Sequence, residues 1–166
     1  MIRVYLVTGF PLGEEHSAAL HLLEQACGKP VKIEKDPGGK PRGVNIAEKF
    51  NISHTRRWAG VAIADQEIGF DMEEPRELKH LGFVLPGEEG IEPLTLWVIK
   101  ESFVKYTGKG VAQLRSTRVK QIEKDLYEAR AGEEKAMVQT FRVGSCICAV
   151  ATEKQENITI RKGETF

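Results

Sequence analysis

The chain is poor in cysteine, and its three cysteines are an odd number without a C-x-x-C spacing. That argues against a disulfide framework and for a reducing interior. A surplus of either charge is also missing, since 24 basic side chains balance 24 acidic ones. No general field is left to attract nucleic acid or an anionic membrane, only local basic patches. No apolar run approaches the roughly 18 residues that span a bilayer. Residues Met1 to Val7 lack the apolar core and small-residue cleavage site of a secretory signal. No His/Cys spacing suits zinc, and no stretch is of low complexity. These absences predict a cytoplasmic globule with neither nucleic acid nor membrane among its partners.

The composition is ordinary for a globular protein, 41% hydrophobic and 29% charged over 166 residues. That length suffices for one domain, or for two small halves. A strand is expected over 2–8 and a helix over Glu14–Cys27, where Ala19, Leu22, Leu23 and Ala26 form a stripe and Gly28 stops it. Val31 to Lys35 reads as a short strand. Asp36-Pro37-Gly38-Gly39-Lys40-Pro41 is dense in turn formers and reads as an exposed loop. Phe50 to Thr55 leads into Trp58–Ala64, whose small and β-branched residues suit a strand covered on both faces. Asp65 and Gln66 would turn the chain into a hairpin with the strand 68–73. Residues 74–93, rich in Pro, Gly and charge, read as a connector. A helix is predicted over 94–107, ended by Gly108. Residues 117–131 fit either a helix, by the spacing of Val119, Ile122 and Leu126, or a strand hairpin. Two strands, Met137–Val143 and Ser145–Ala151, follow around Gly144.

Two stretches carry the chemistry. Ile68-Gly69-Phe70-Asp71-Met72-Glu73 alternates apolar and other residues, so Asp71 and Glu73 share one face of a strand. Their Cα atoms lie roughly 6.6 Å apart at the usual rise, and Gly69 beside them would leave space for a ligand. Taken alone, such a pair is the wet face of an edge strand. With that glycine and an otherwise apolar strand, it suits Mg²⁺, a hard cation normally completed by water and phosphate oxygens. The second stretch, Trp97 to Lys105, sets Glu101 one turn after Trp97 and one turn before Lys105, at the edge of the apolar stripe Leu94, Trp97, Val98 and Val104. The plain reading of Glu101 and Lys105 is an i, i+4 surface pair worth about 0.2–0.5 kcal/mol. The chemical reading makes Glu101 a third metal ligand and Lys105 a phosphate contact or proton acceptor. A lone His54 is ordinarily structural, and Arg56 and Arg57 beside it suit either a phosphate or solvent. His16, His21 and His80 carry no partner signal.

In this order Gly39-Lys40-Pro41, Phe50-Asn51-Ile52-Ser53-His54-Thr55, Ile68 to Glu73 and Trp97 to Lys105, continuing through Gly108-Lys109-Gly110, resemble the 4′-phosphopantetheinyl transferase family. The likeness is to the kind that activates surfactin-type peptide synthetases, in shortened form, and is firm over about residues 39–110. It implies an α+β fold of two similar halves, each a helix plus antiparallel strands, related by pseudo-twofold symmetry with the active site in the cleft between them. The whole of 1–166 would then be one domain, with halves of roughly 1–73 and 94–153 and a linker at 74–93. The resemblance further implies Mg²⁺-dependent transfer of the phosphopantetheine arm of coenzyme A to a serine of an apo acyl or peptidyl carrier protein, releasing 3′,5′-ADP. By position in the motifs, Asp71, Glu73 and Glu101 would hold the metal, and Glu101, Lys105 and His54 would be catalytic. Coenzyme A would be contacted by Lys40, Pro41, Ser53, His54, Lys100 and Lys105. The family's basic residues for the 3′-phosphate are absent from the first helix, where Glu14–Cys27 has neither Lys nor Arg. A monomer is expected, because both halves lie on one chain. Two other readings compete: a non-catalytic relative that binds coenzyme A or a carrier, and a Mg²⁺ phosphodiesterase that releases ADP into water.

Overall fold

In the computed structural model, which describes residues 1–163, the chain is mixed α and β and divides into two compact units. The first comprises Met1–Ile68 and residues 156–163, and the second comprises Gly69–Gln155. Among the described residues no helix is long and apolar enough to cross a membrane.

The first unit is a helix on a four-stranded sheet. Strands β1 (Ile2–Thr8), β4 (Lys49–His54), β5 (Trp58–Ala64) and β11 (Ile158–Lys162) lie in the order β11-β1-β5-β4. β1 and β4 both run antiparallel to β5, and β11 runs parallel to β1. Helix α1 (Glu15–Cys27) buries Ala18, Ala19, Leu22 and Leu23 against Val7, Phe50, Ala59, Val61 and Ile63. The helix ends where Gly28 takes φ 68°, a left-handed conformation that costs a residue without Cβ little. A two-stranded ribbon, β2 (Ile33–Lys35) with β3 (Pro41–Gly43), flanks the turn-rich segment between them.

One segment without an assignment is settled here, and one expected pairing is corrected. Lys49–His54 is a full strand, paired with β5 as a hairpin whose turn is tied by Thr55 Oγ1 accepting from the backbone N–H of Trp58 at 3.0 Å. The predicted partner of β5, the strand Ile68–Glu73 (β6), pairs instead with β10 (Cys146–Thr152) in another sheet.

The second unit is a five-stranded sheet, β6-β10-β9-β8-β7, with β7 (Arg118–Glu123), β8 (Leu126–Ala131) and β9 (Glu134–Val143). Adjacent strands from β7 to β10 are antiparallel. The ambiguous stretch 117–131 is therefore a hairpin. Asp125 supplies the left-handed φ of 59° that its turn needs, a conformation Asp adopts more readily than most residues. Helix α2 (Pro93–Thr107) packs Leu96, Val98, Ile99 and Phe103 on Val119, Ala129, Ala136, Val138, Ile147 and Ala149. Its start is fixed by Glu92, whose carboxylate accepts from the backbone N–H of Leu94 at 3.1 Å and of Thr95 at 2.9 Å. Pro93, in the first turn, has no N–H to leave unsatisfied. Replacing Glu92 with alanine removes that cap, so a loss of about 1 kcal/mol in a denaturant melt is expected.

Candidate functional site

Helix α2 is buried from Leu94 to Val104 except along one line. That half-open line is Trp97, Glu101 and Lys105, each one turn from the next. The sequence placed Glu101 at the edge of the apolar stripe, and the structure shows that edge to be the only relief on this part of the helix.

What sets the line over β6 is Gly69. A Cβ on Gly69 would stand 2.0 Å from the carbonyl oxygen of Ser102 and 2.4 Å from the backbone nitrogen of Tyr106. The glycine therefore admits the helix backbone, not a ligand as the strand pattern suggested. Close approach brings the helix across the Gly69–Asp71 face, and the strand is buried on both faces rather than one. Asp71 is only 7% exposed as a result.

Lys105 then reaches β6. Its ammonium donates to the backbone carbonyl of Phe70 and to Asp71 Oδ1, both at 3.0 Å. Glu73 is engaged by Arg76, whose Nε and Nη2 donate to its two carboxylate oxygens at 3.1 Å each. Glu101 belongs to the same field. Burial first, then the charge of Asp71, raises its carboxyl above the ordinary range, with a smaller push from Glu73 and opposition from Lys105 and Arg76. Three carboxylates thus face two cations, an excess of one negative charge in a partly desolvated place. Oxygen-only donors with excess negative charge have the right chemistry for a hard divalent cation. As the side chains stand, among the described residues no three such groups are set at metal-holding geometry. Asp71 and Glu73 are turned to Lys105 and Arg76 instead. Arg76 was missed from the sequence because it lies outside the motif, three residues beyond Glu73 in the connector.

The structure removes Lys100 from any open surface. Its side chain is 0% exposed, and its ammonium donates to Glu88 Oε1 at 2.7 Å and to the carbonyl of Phe83 at 2.6 Å. The expectation that it borders a nucleotide fails for that reason, since no part of it reaches solvent. A cleft of about 440 Å³ in the same unit, lined by Pro86, Gly87, Glu88, Arg118 and Arg130 among others, contains none of the predicted site residues. Charge convergence, not cavity size, locates the candidate site.

The remaining predicted residues belong to the first unit. Lys40 is buried, with its ammonium donating to Glu67 and, at 2.9 Å, to the carbonyl of Ile68. Burial lowers its pKa, against the pull of Glu67. Arg42 joins Glu67 to Asp36, so the turn-rich loop is closed by an ion-pair network and Pro41 opens β3 behind it. Ser53 is buried on β4, and His54, the last residue of that strand, is exposed. The ring of His16, in the first turn of α1, stands edge-on to that of His54 with centroids 6.5 Å apart. The sequence gives His16 no partner signal, and only the packing of α1 on β4 and β5 reveals the pair.

The motif resemblance extends along most of the chain. A 4′-phosphopantetheinyl transferase of Bacillus subtilis is 30% identical over 147 residues, covering 72% of this chain and 65% of the relative. 4′-Phosphopantetheinyl transferase psf-1 of Bacillus pumilus is 28% identical over 156 residues, 81% of this chain and 67% of the relative. 4′-Phosphopantetheinyl transferase Sfp of Bacillus subtilis strain 168 is 29% identical over 152 residues, 78% and 68% respectively. The chain thus spans about two thirds of the length of these curated relatives, and 65% of the first. No protein-family model matches it.

Proposed function

We propose that this chain is a 4′-phosphopantetheinyl transferase, which moves the phosphopantetheine arm of coenzyme A to a serine hydroxyl of an apo acyl or peptidyl carrier protein and releases 3′,5′-ADP. The observation that carries the reading is that Asp71, Glu73, Glu101 and Lys105, the residues the motifs single out, share one electrostatic field across β6 and α2, with Lys105 bonded to Asp71. The relatives' names support the activity, and each unit's make-up, one helix on a sheet, supports two similar halves.

In the reaction, the serine oxygen forms a bond to the phosphorus that carries the pantetheine. The bond from that phosphorus to the oxygen of 3′,5′-ADP breaks, and the serine proton is lost. The protein's task in such a phosphoryl transfer is positioning and charge balance. Asp71, Glu73 and Glu101 would hold Mg²⁺, which supplies neutralising charge to the pyrophosphate. Lys105, anchored at Asp71 and the Phe70 carbonyl, has its ammonium beside Asp71, where it can meet a phosphate oxygen and draw the serine hydroxyl into place, the serine proton passing to solvent water. His54, with Ser53 beside it, is assigned to the phosphates and Pro41 to the nucleotide end of coenzyme A, while Lys40, buried and held by Glu67 and the Ile68 carbonyl, would shape that end from behind. Lys100 has no place in this assignment.

A second reading, a non-catalytic relative that binds coenzyme A or a carrier, draws on the engagement of Asp71 by Lys105 and of Glu73 by Arg76. Mixing the protein with coenzyme A, Mg²⁺ and several apo carrier proteins and weighing the carriers separates the two. The transferase reading expects each competent carrier to gain the phosphopantetheine mass only when Mg²⁺ is present. No gain on any carrier, with coenzyme A binding indifferent to Mg²⁺, would establish the binding module instead.

A further inference from the structure

One buried ion pair has no part in the chemistry above. Lys100 is fully buried and Glu88 is 3% exposed. Glu88 Oε1 accepts from the Lys100 ammonium and from the backbone N–H of Leu85 at 2.8 Å, and Oε2 accepts from the backbone N–H of Val119 at 2.7 Å. Lys100 also donates to the carbonyl of Phe83. Three separate stretches therefore meet at this pair: the middle of α2, the connector at 83–88, and the start of the edge strand β7. Taking two charges out of water costs several kcal/mol per ion, and a well-packed apolar pair of the same volume is often more stabilising. Stability alone gives no reason to keep charges here.

Helix geometry gives one. Lys100 immediately precedes Glu101, so a side chain pinned at 100 fixes the rotation of α2 about its axis, and with it the direction in which 101 leaves. A second restraint acts on the same helix from β6, where Gly69 lies against the backbone of Ser102 and Tyr106. Close packing at Gly69 sets how near the helix lies to the strand, but a smooth apolar contact allows it to roll. Directional bonds from Lys100 to Glu88 and Phe83, on the other side, do not.

We propose that Glu88 and Lys100 are positioning residues that lock the rotation of α2 and so hold Glu101 and Lys105 over Asp71. The proposal rests on reading Asp71, Glu73 and Glu101 as a divalent-cation site. Both Glu88 and Lys100 are buried away from solvent. Their effect passes through the helix.

The test pairs two variants. Glu88→Gln with Lys100→Met removes both charges while keeping volume and one acceptor oxygen, and Glu88→Asp keeps both charges but shortens the reach. Both are expected to melt within a few degrees of the wild type. Mn²⁺ titrated by calorimetry should bind the double variant about tenfold more weakly, as loss of a supporting contact behind a ligand commonly does. Glu88→Asp should fall between, and transfer should drop in kcat with KM for coenzyme A unchanged. Wild-type Mn²⁺ affinity in both variants would overturn the proposal. Should the wild type bind no Mn²⁺, the cation reading fails by itself, and a crystal structure of either variant still decides the lock. Loss of the 3.0 Å contact between Lys105 Nζ and Asp71 Oδ1 supports it, and an intact contact overturns it.

Discussion

Replacing Glu101 with glutamine is expected to lower transfer to an apo carrier by about 10²–10³-fold, the usual cost of removing one preorganised charged group from a site of developing charge. The fold should survive the change. Burial and the Asp71 charge already disfavour the ionised Glu101 in the folded protein, so its carboxyl sits above the ordinary range. A neutral amide of the same shape relieves that repulsion. In the absence of divalent cations the melting temperature of Glu101→Gln should therefore equal or exceed that of the wild type. A drop in melting temperature as large as the drop in activity would mean that Glu101 serves the fold rather than the reaction.

The second large effect is at Gly69. An alanine there would place a methyl 2.0 Å from the Ser102 carbonyl oxygen and 2.4 Å from the Tyr106 nitrogen, both backbone atoms of a helix packed on the other side. No rotamer change can relieve that overlap, so α2 must move away from β6. The expected loss is on the order of 3 kcal/mol, at the upper end of overpacking penalties, read as a shift of the urea midpoint. Activity should be lost along with it, because the same displacement separates Lys105 from Asp71. A Gly69→Ala protein with a wild-type midpoint would show that the helix is not seated as described. Gly69→Ala and Glu101→Gln thus separate by signature: one changes stability and turnover together, the other turnover alone.

Much of this was legible from residue order. The two carboxylates of β6 share a face because a strand has period two, and Glu101 and Lys105 share a helix edge because they are four apart. Those local rules put Asp71 and Glu73 on a strand and Glu101 and Lys105 on a helix, where the structure has them. Long-range pairing was not legible. β6 is expected beside β5 because a short polar turn separates them, yet its hydrogen-bonded neighbour is β10, some eighty residues on, which no local pattern announces. Gly69 was read as clearance for a ligand, while the object needing clearance was the backbone of a helix some thirty residues on. Lys100 is set beside coenzyme A by the motif resemblance alone, and burial of a lysine demands a partner that the motif does not contain. Its partner, Glu88, sits in a connector with no periodicity to announce it. Arg76 and His16 escaped for a similar reason, each becoming informative only beside a residue from another element or beyond the motif.

The account stands on one shared cation held by side chains from β6 and α2. Crystals grown with Mn²⁺ and coenzyme A, with the anomalous signal of manganese mapped, test it most directly. A single peak ligated by Asp71, Glu73 and Glu101, with Lys105 turned toward a phosphate oxygen, is the predicted result. Manganese bound elsewhere, with Lys105 still on Asp71 and Arg76 still on Glu73, would contradict it.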